Sequence, residues 1–215
     1  MPTFNEKVNR LNELVRLAES SYTIALSKAA SAGTTLPVRH KCFISYHGAD
    51  IDGVTKFVED YSSVFIPRVV GASDSDHFDD PIDSTATEYI KSVIGSRHLT
   101  DSSVTILYVG KCTWSRKYID WELSSTLRND PKNKRSGLIA ITPADRSTNE
   151  LPERFADNYN KEDVSKGFAR YYWYPSSTTE LRGYIEDAFV NREARAKLID
   201  NSKALRMRDS QCSND

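Results

Sequence analysis

Residues 103–109 (SVTILYV) constrain the fold of this chain more than any other segment. A near-continuous run of apolar and β-branched residues suits a strand buried on both faces, as in a parallel sheet. Four other short runs carry the same signal: 41–46 (KCFISY), 64–70 (VFIPRVV), 137–142 (GLIAIT) and 170–174 (RYYWY). Helical patterns lie between them. Ile51, Val54, Phe57, Val58 and Tyr61 share one face behind Asp50, which suits a helix N-cap. Thr85 and Glu88 are spaced as a capping box before Ile90, Val93 and Ile94. Further helices are expected over 115–128, over 151–159, and from Ser177 and Glu180 onward. About five short strands alternating with helices predict an α/β domain with an open parallel sheet covered on both faces. Pro67 cannot donate to a ladder, so the second strand belongs at an edge or a bulge.

The ends of the chain lie outside this alternation. Val8, Leu11, Leu14, Val15, Ala18, Tyr22 and Leu26 recur at helical spacing within residues 4–30. This N-terminal helix is expected to pack on the domain or on a second copy, followed by a linker at 31–37 (SAGTTLP). The division is therefore 1–36 as helical extension and linker, 37–192 as the α/β domain, and 193–215 as a charged helix end and tail. The last ten residues are expected to fray.

Twenty-nine Lys and Arg against 30 Asp and Glu give a net charge of −1, which supplies no basic surface for nucleic acid. Cys42, Cys112 and Cys212 are few, odd in number and far apart, which suits a reducing compartment without a disulfide framework. No Cys/His cluster offers a metal site, so no metal is expected. No apolar N-terminal core or long apolar run marks an export signal or a membrane span, so the expected location is cytoplasmic.

Ligands of open parallel sheets bind beyond the carboxyl ends of the strands. The helix after 103–109 starts at that end. Ile119, Leu123 and Leu127 form its core stripe, and Glu122 lies beside the stripe on a polar flank with Ser115, Tyr118, Ser125 and Thr126. A carboxylate at the edge of a core is costly unless paired or hydrated. Periodicity leaves two readings open: a Glu that pairs with an Arg or caps a loop, and a group whose raised pKa serves acid–base or electrostatic chemistry.

Residues 41–50 (KCFISYHGAD) resemble the opening strand and loop of bacterial TIR-like domains. Residues 110–123 (GKCTWSRKYIDWEL) resemble the segment with the catalytic glutamate of TIR NAD⁺ hydrolases and cyclases. Thr113, Ser115, Tyr118, Trp121, Glu122 and Leu123 carry that match, and the resemblance runs over about residues 39–189. It implies a flavodoxin-like fold and cleavage of the nicotinamide–ribose bond. NAD⁺ would be the substrate, with no bound cofactor. It also implies an ADP-ribose-derived signal, linear or cyclic, in antiphage defence of the Thoeris kind. A separate effector protein would read the product, a phage component would be the trigger, and a homo-oligomer could complete the site.

On this resemblance Glu122 is the catalytic residue, facing the ribose, and Phe43, Ser45, Tyr46, His47, Ser115 and Tyr118 bind substrate. Tyr46 could stack on the nicotinamide. His47 could orient a phosphate or bond the loop backbone. The loop at 71–83 (GASDSDHFDDPID) departs from the family in length and acidity; it reads as a solvated loop, a gate or an assembly contact. Helical angle turns Trp121 away from the core stripe, toward a partner or beneath the N-terminal helix. A non-enzymatic TIR-like adaptor is the alternative, with Trp121, the acidic loop and the extra helix as its surface. Of the aromatic run 171–174, alternation should bury one pair and expose the other.

Overall fold

The computed structural model describes residues 2–69, 101–131 and 134–212. The acidic loop at 71–83 and the helix expected behind Thr85 and Glu88 lie outside the described residues.

Five strands form one sheet: β1 (Lys41–Ser45), β2 (Ile66–Val69), β3 (Val104–Tyr108), β4 (Gly137–Ile141) and β5 (Arg170–Tyr172). Their order is β2-β1-β3-β4-β5, and each neighbouring pair is parallel. This is the flavodoxin-like order, in which the direction of winding reverses between β1 and β3 and opens a crevice at their carboxyl ends. Ser45 ends β1 opposite Leu107 of β3. Pro67 sits in β2, the edge strand that its missing N–H requires.

The described helices are α1 (Phe4–Ser31), α2 (Ile51–Tyr61), α3 (Lys117–Leu127), α4 (Glu153–Asn158) and α5 (Thr178–Ala194). Two cores cover the two faces of the sheet. In one, Cys42, Ile44, Val104, Ile106, Ile139 and Ile141 meet α1, α2 and α5. In the other, Leu107, Val109, Leu138 and Ala140 meet Ile119, Leu123 and Leu127 of α3 and Phe155 of α4. Strand residues thus feed both cores alternately, which is why 103–109 is nearly continuous in apolar and β-branched residues.

Helix α1 starts with a reciprocal cap: Thr3 Oγ1 accepts the Glu6 N–H, and the Glu6 carboxylate accepts the Thr3 N–H. Leu11 and Val15 enter the first core, and Lys7–Asp52 and Glu19–Arg68 ion pairs, both 2.6 Å, flank the contact. The N-terminal helix therefore packs on its own domain.

The C-terminal expectation is corrected. Residues 200–212 form an ordered strap across α3 and α4. The buried Arg154 guanidinium donates to the carbonyls of Lys203 and Ala204, at 3.0 and 3.1 Å. Asn158 Nδ2 donates to the Asp200 carbonyl, Asn201 Nδ2 to the Ser124 carbonyl, and the Ser210 N–H to the Ser115 carbonyl. Buried donors on α3 and α4 need acceptors, and the strap backbone supplies them. The strap also brings Cys212 to Cys112, and the two form a disulfide across 100 residues of sequence. The reading of no disulfide fails here because sequence spacing says nothing about a contact made by the fold. Cys42 is free and buried.

Trp121 is likewise corrected. It is 2% exposed, and its indole N–H donates to the Arg206 carbonyl at 2.7 Å. The angle count set it away from the sheet correctly, but the strap covers that side, so it is core and not an exposed contact. In the aromatic run, Tyr172 stacks on Tyr184 and Tyr174 enters the first core, while Tyr171 packs against the second. Trp173 is the open member, at 47% exposure.

Candidate active site

The β1/β3 crevice receives Glu122 from α3 and Ser45 from the end of β1. Ser45 Oγ donates to Glu122 Oε2 at 2.6 Å, and both side chains are buried. Ser45 reaches α3 because it alternates with Ile44, which faces the other core. Burial pushes the Glu122 pKa up to about 8, against a smaller opposing effect of the Ser45 hydroxyl. A neutral carboxyl is therefore the resting form at pH 7. Behind Glu122 the polar flank continues into the sheet: Thr126 Oγ1 donates to the Glu122 carbonyl, and Thr105 and Thr126 hydroxyls meet at 2.9 Å. These bonds satisfy the Thr105 and Thr126 hydroxyls that the flank buries.

The other expected site residues divide into two groups. Phe43 is fully buried in β1 on the Ser45 side. Tyr46 is buried with its ring in the first core; burial, and secondarily the charge of Glu122, raises its phenol above the ordinary range. His47 precedes the short 3₁₀ turn Gly48–Asp50, and its carbonyl accepts the Asp50 N–H. Ser115 and Tyr118 make other described contacts. Ser115 Oγ donates to the Cys112 carbonyl, and Tyr118 packs edge-on against Trp121 with centroids 5.0 Å apart.

Asp50 is not the side-chain cap that its position suggests. It occupies the N-cap of α2, yet its carboxylate makes no bond to the helix N–H groups. It lies instead over the end of β3. A Cβ added at Gly110 would come within 1.9–2.1 Å of the Asp50 carboxyl group, so only glycine permits the contact. Thr113 Oγ1 accepts the Gly110 N–H at 2.9 Å, and the hydroxyl, with one proton to donate, lies 3.4 Å from two acceptors, Asp50 Oδ2 and the Tyr108 carbonyl. Burial raises the Asp50 pKa to about 6, with the Thr113 bond opposing. Sequence reasoning missed this role because capping explains an Asp at that position equally well. The GKCT tetrapeptide after β3 was the available signal.

Among the described residues, no group of three or more His, Cys, Asp or Glu is arranged to hold a metal ion. Nor is any described helix long and apolar enough to cross a membrane.

A flavodoxin-like parallel sheet with a buried glutamate facing the end of β1 has the architecture of a TIR-like domain. Comparison with known families agrees: residues 43–148 match the model described as "Thoeris protein ThsB, TIR-like domain". Residues 43–148 are thus a TIR-like domain of the Thoeris type. No curated protein matches the chain.

Proposed function

We propose that this protein consumes NAD⁺, cleaving the nicotinamide–ribose bond to give an ADP-ribose-derived signal, linear or cyclic, in antiphage defence. The observation that carries the reading is the buried Glu122 carboxyl, held by Ser45 at the crevice where parallel sheets of this order bind ligands. Rupture of the bond sends its electron pair to the nicotinamide nitrogen and leaves positive charge on the ribose. A carboxylate beside the ribose stabilises that charge. Water, or another acceptor atom, then bonds to the sugar carbon and loses a proton.

The resting group is protonated, but a cationic nicotinamide favours the ionised form of a nearby carboxyl. Substrate binding therefore expels the Glu122 proton and creates the anion where the reaction needs it. A separate effector reads the product. The adaptor alternative loses its surface tryptophan, because Trp121 is buried.

The test is mass spectrometry of NAD⁺ incubated with purified protein, with and without extract from phage-infected cells. Nicotinamide and an ADP-ribose species are expected from wild type and not from Glu122→Gln. Equal product from both, or none from wild type under either condition, rejects the proposal.

A further inference from the structure

Two chain segments build the candidate site, and two contacts between them define it. One runs from Ser45 through the β1–α2 loop to Asp50. The other runs from Gly110 through the β3–α3 loop into α3, where Glu122 sits. The first contact is the Ser45–Glu122 hydrogen bond, deep in the crevice. The second is Asp50 against Gly110 and Thr113, at its rim. We propose that Asp50 is a positioning residue that latches the β3–α3 loop onto the β1–α2 loop and so keeps Glu122 enclosed against Ser45.

Three observations carry this. The carboxyl group lies so close over Gly110 that no side chain fits between them. Thr113 joins the parts, since the hydroxyl that caps the Gly110 N–H lies 3.4 Å from both Asp50 Oδ2 and the Tyr108 carbonyl. Tyr108 braces the latch from beneath: its hydroxyl lies where a Cβ on Gly53 of α2 would come within 2.3 Å, and burial and then the Asp50 charge push its pKa up to about 12. A carboxylate used only as a helix cap would bond its own helix, and this one does not.

The latch rests on Glu122 being the acting carboxylate, but it can be read without turnover. Glu122 keeps its raised pKa only while it is shut away from water. The stability difference between a chain that keeps Glu122 and the same chain carrying Glu122→Gln depends on pH, and that dependence reports the enclosure. It is measured by thermal melts from pH 4.5 to 9 in four backgrounds: wild type, Asp50→Ala, Thr113→Val and Thr113→Ser. In wild type the difference falls between about pH 4.5 and 8, and the transition read is the upper end of that fall, near pH 8. Asp50→Ala and Thr113→Val are expected to move it down by about one pH unit or more as water enters. Thr113→Ser, which keeps the hydroxyl, is expected to restore it. A transition that stays in place in both loosened backgrounds overturns the latch, even where both melt at lower temperature. Where Asp50→Ala does not fold, Thr113→Val and its serine rescue decide.

Steady-state kinetics supply a second readout. Misplacement of Glu122 lowers kcat by roughly 10- to 100-fold with KM little changed. A rise in KM at constant kcat in Asp50→Asn assigns Asp50 to substrate contact and also overturns the latch. Absence of any product from wild type rejects the proposed function, while the melts still decide the latch.

Discussion

Ser45 Oγ lies 2.6 Å from Glu122 Oε2, and this bond holds the carboxyl toward its ionised form against the pull of burial. Replacing Ser45 by Ala leaves burial in place and removes the opposing bond. The Glu122 pKa then rises above its present value of about 8. A hydrogen bond to a charged group contributes about 1.5–3 kcal/mol, equivalent to roughly one to two pH units. In Ser45→Ala the ascending limb of the kcat/KM–pH profile should move to higher pH by about that amount. A limb that stays in place refutes the assignment of Glu122 to it.

Stability should depend on pH through Glu122 in a definite direction. The unfolded carboxyl titrates near 4.5 and the folded one near 8. Between these values the folded chain keeps a proton that the unfolded chain has lost, so stability falls as pH rises through the window. Below pH 4.5 both states are protonated and the full stability is present. Above pH 8 both are ionised and the whole contribution, about 5 kcal/mol, is gone. Glu122→Gln carries no such proton. It should match wild type within about 1 kcal/mol near pH 5 and exceed it above pH 8 in urea melts. Parallel curves for the two proteins from pH 5 to 9 would contradict a buried, titrating Glu122.

The alternation of strands and helices was legible because a parallel sheet writes its own burial into continuous apolar runs, as in Val104–Tyr108. Pro67 marked the edge strand for an equally local reason. Glu122 was legible only as a residue beside a core stripe, and the family resemblance directed attention to it. What escaped was long-range. Trp121 faces away from the sheet, and nothing near it in sequence announces that residues 200–212 return to cover it. Asp50 looked like a cap because a capping Asp and a latching Asp have the same sequence. The disulfide escaped for the same reason as the strap, since both exist only after the C-terminus has folded back.

Arg154 and Asp120 form the ion pair beneath the strap. Arg154 Nε donates to Asp120 Oδ1 at 2.8 Å, and the guanidinium is fully buried. Asp120 also accepts the Arg206 N–H at 2.8 Å. Removing one member strands the other charge in the core. Arg154→Ala should therefore lower the unfolding free energy by about 3–5 kcal/mol. Joint replacement by Arg154→Met and Asp120→Leu should cost less than the sum of Arg154→Met and Asp120→Leu, because neither charge is left alone. Additivity in the urea-melt cycle, or a loss below about 1 kcal/mol for Arg154→Ala, would show that water reaches the pair.

The strap itself should respond to reduction. Cys112–Cys212 closes a loop of 100 residues, and the chain-entropy view assigns a stabilisation of about 4.7 kcal/mol to a closure of that length, with measured values nearer 2–4. Cys212→Ser, or treatment of wild type with a small thiol that reduces the disulfide to two thiols, should lower the unfolding free energy by about 2–4 kcal/mol. The loss should concentrate at the strap. Freed at Cys212, the end of the segment keeps the exposed Asp209 bond to the Lys117 N–H at 2.7 Å, which water can replace, and the Ser210–Ser115 backbone bond. Brief trypsin treatment should then cut after Arg208 in the reduced protein and spare the oxidised one. The buried anchors at Lys203 and Ala204 should protect the chain before them in both forms. Identical cleavage and identical melts with and without thiol would mean that the hydrogen bonds of the strap hold it without the covalent closure.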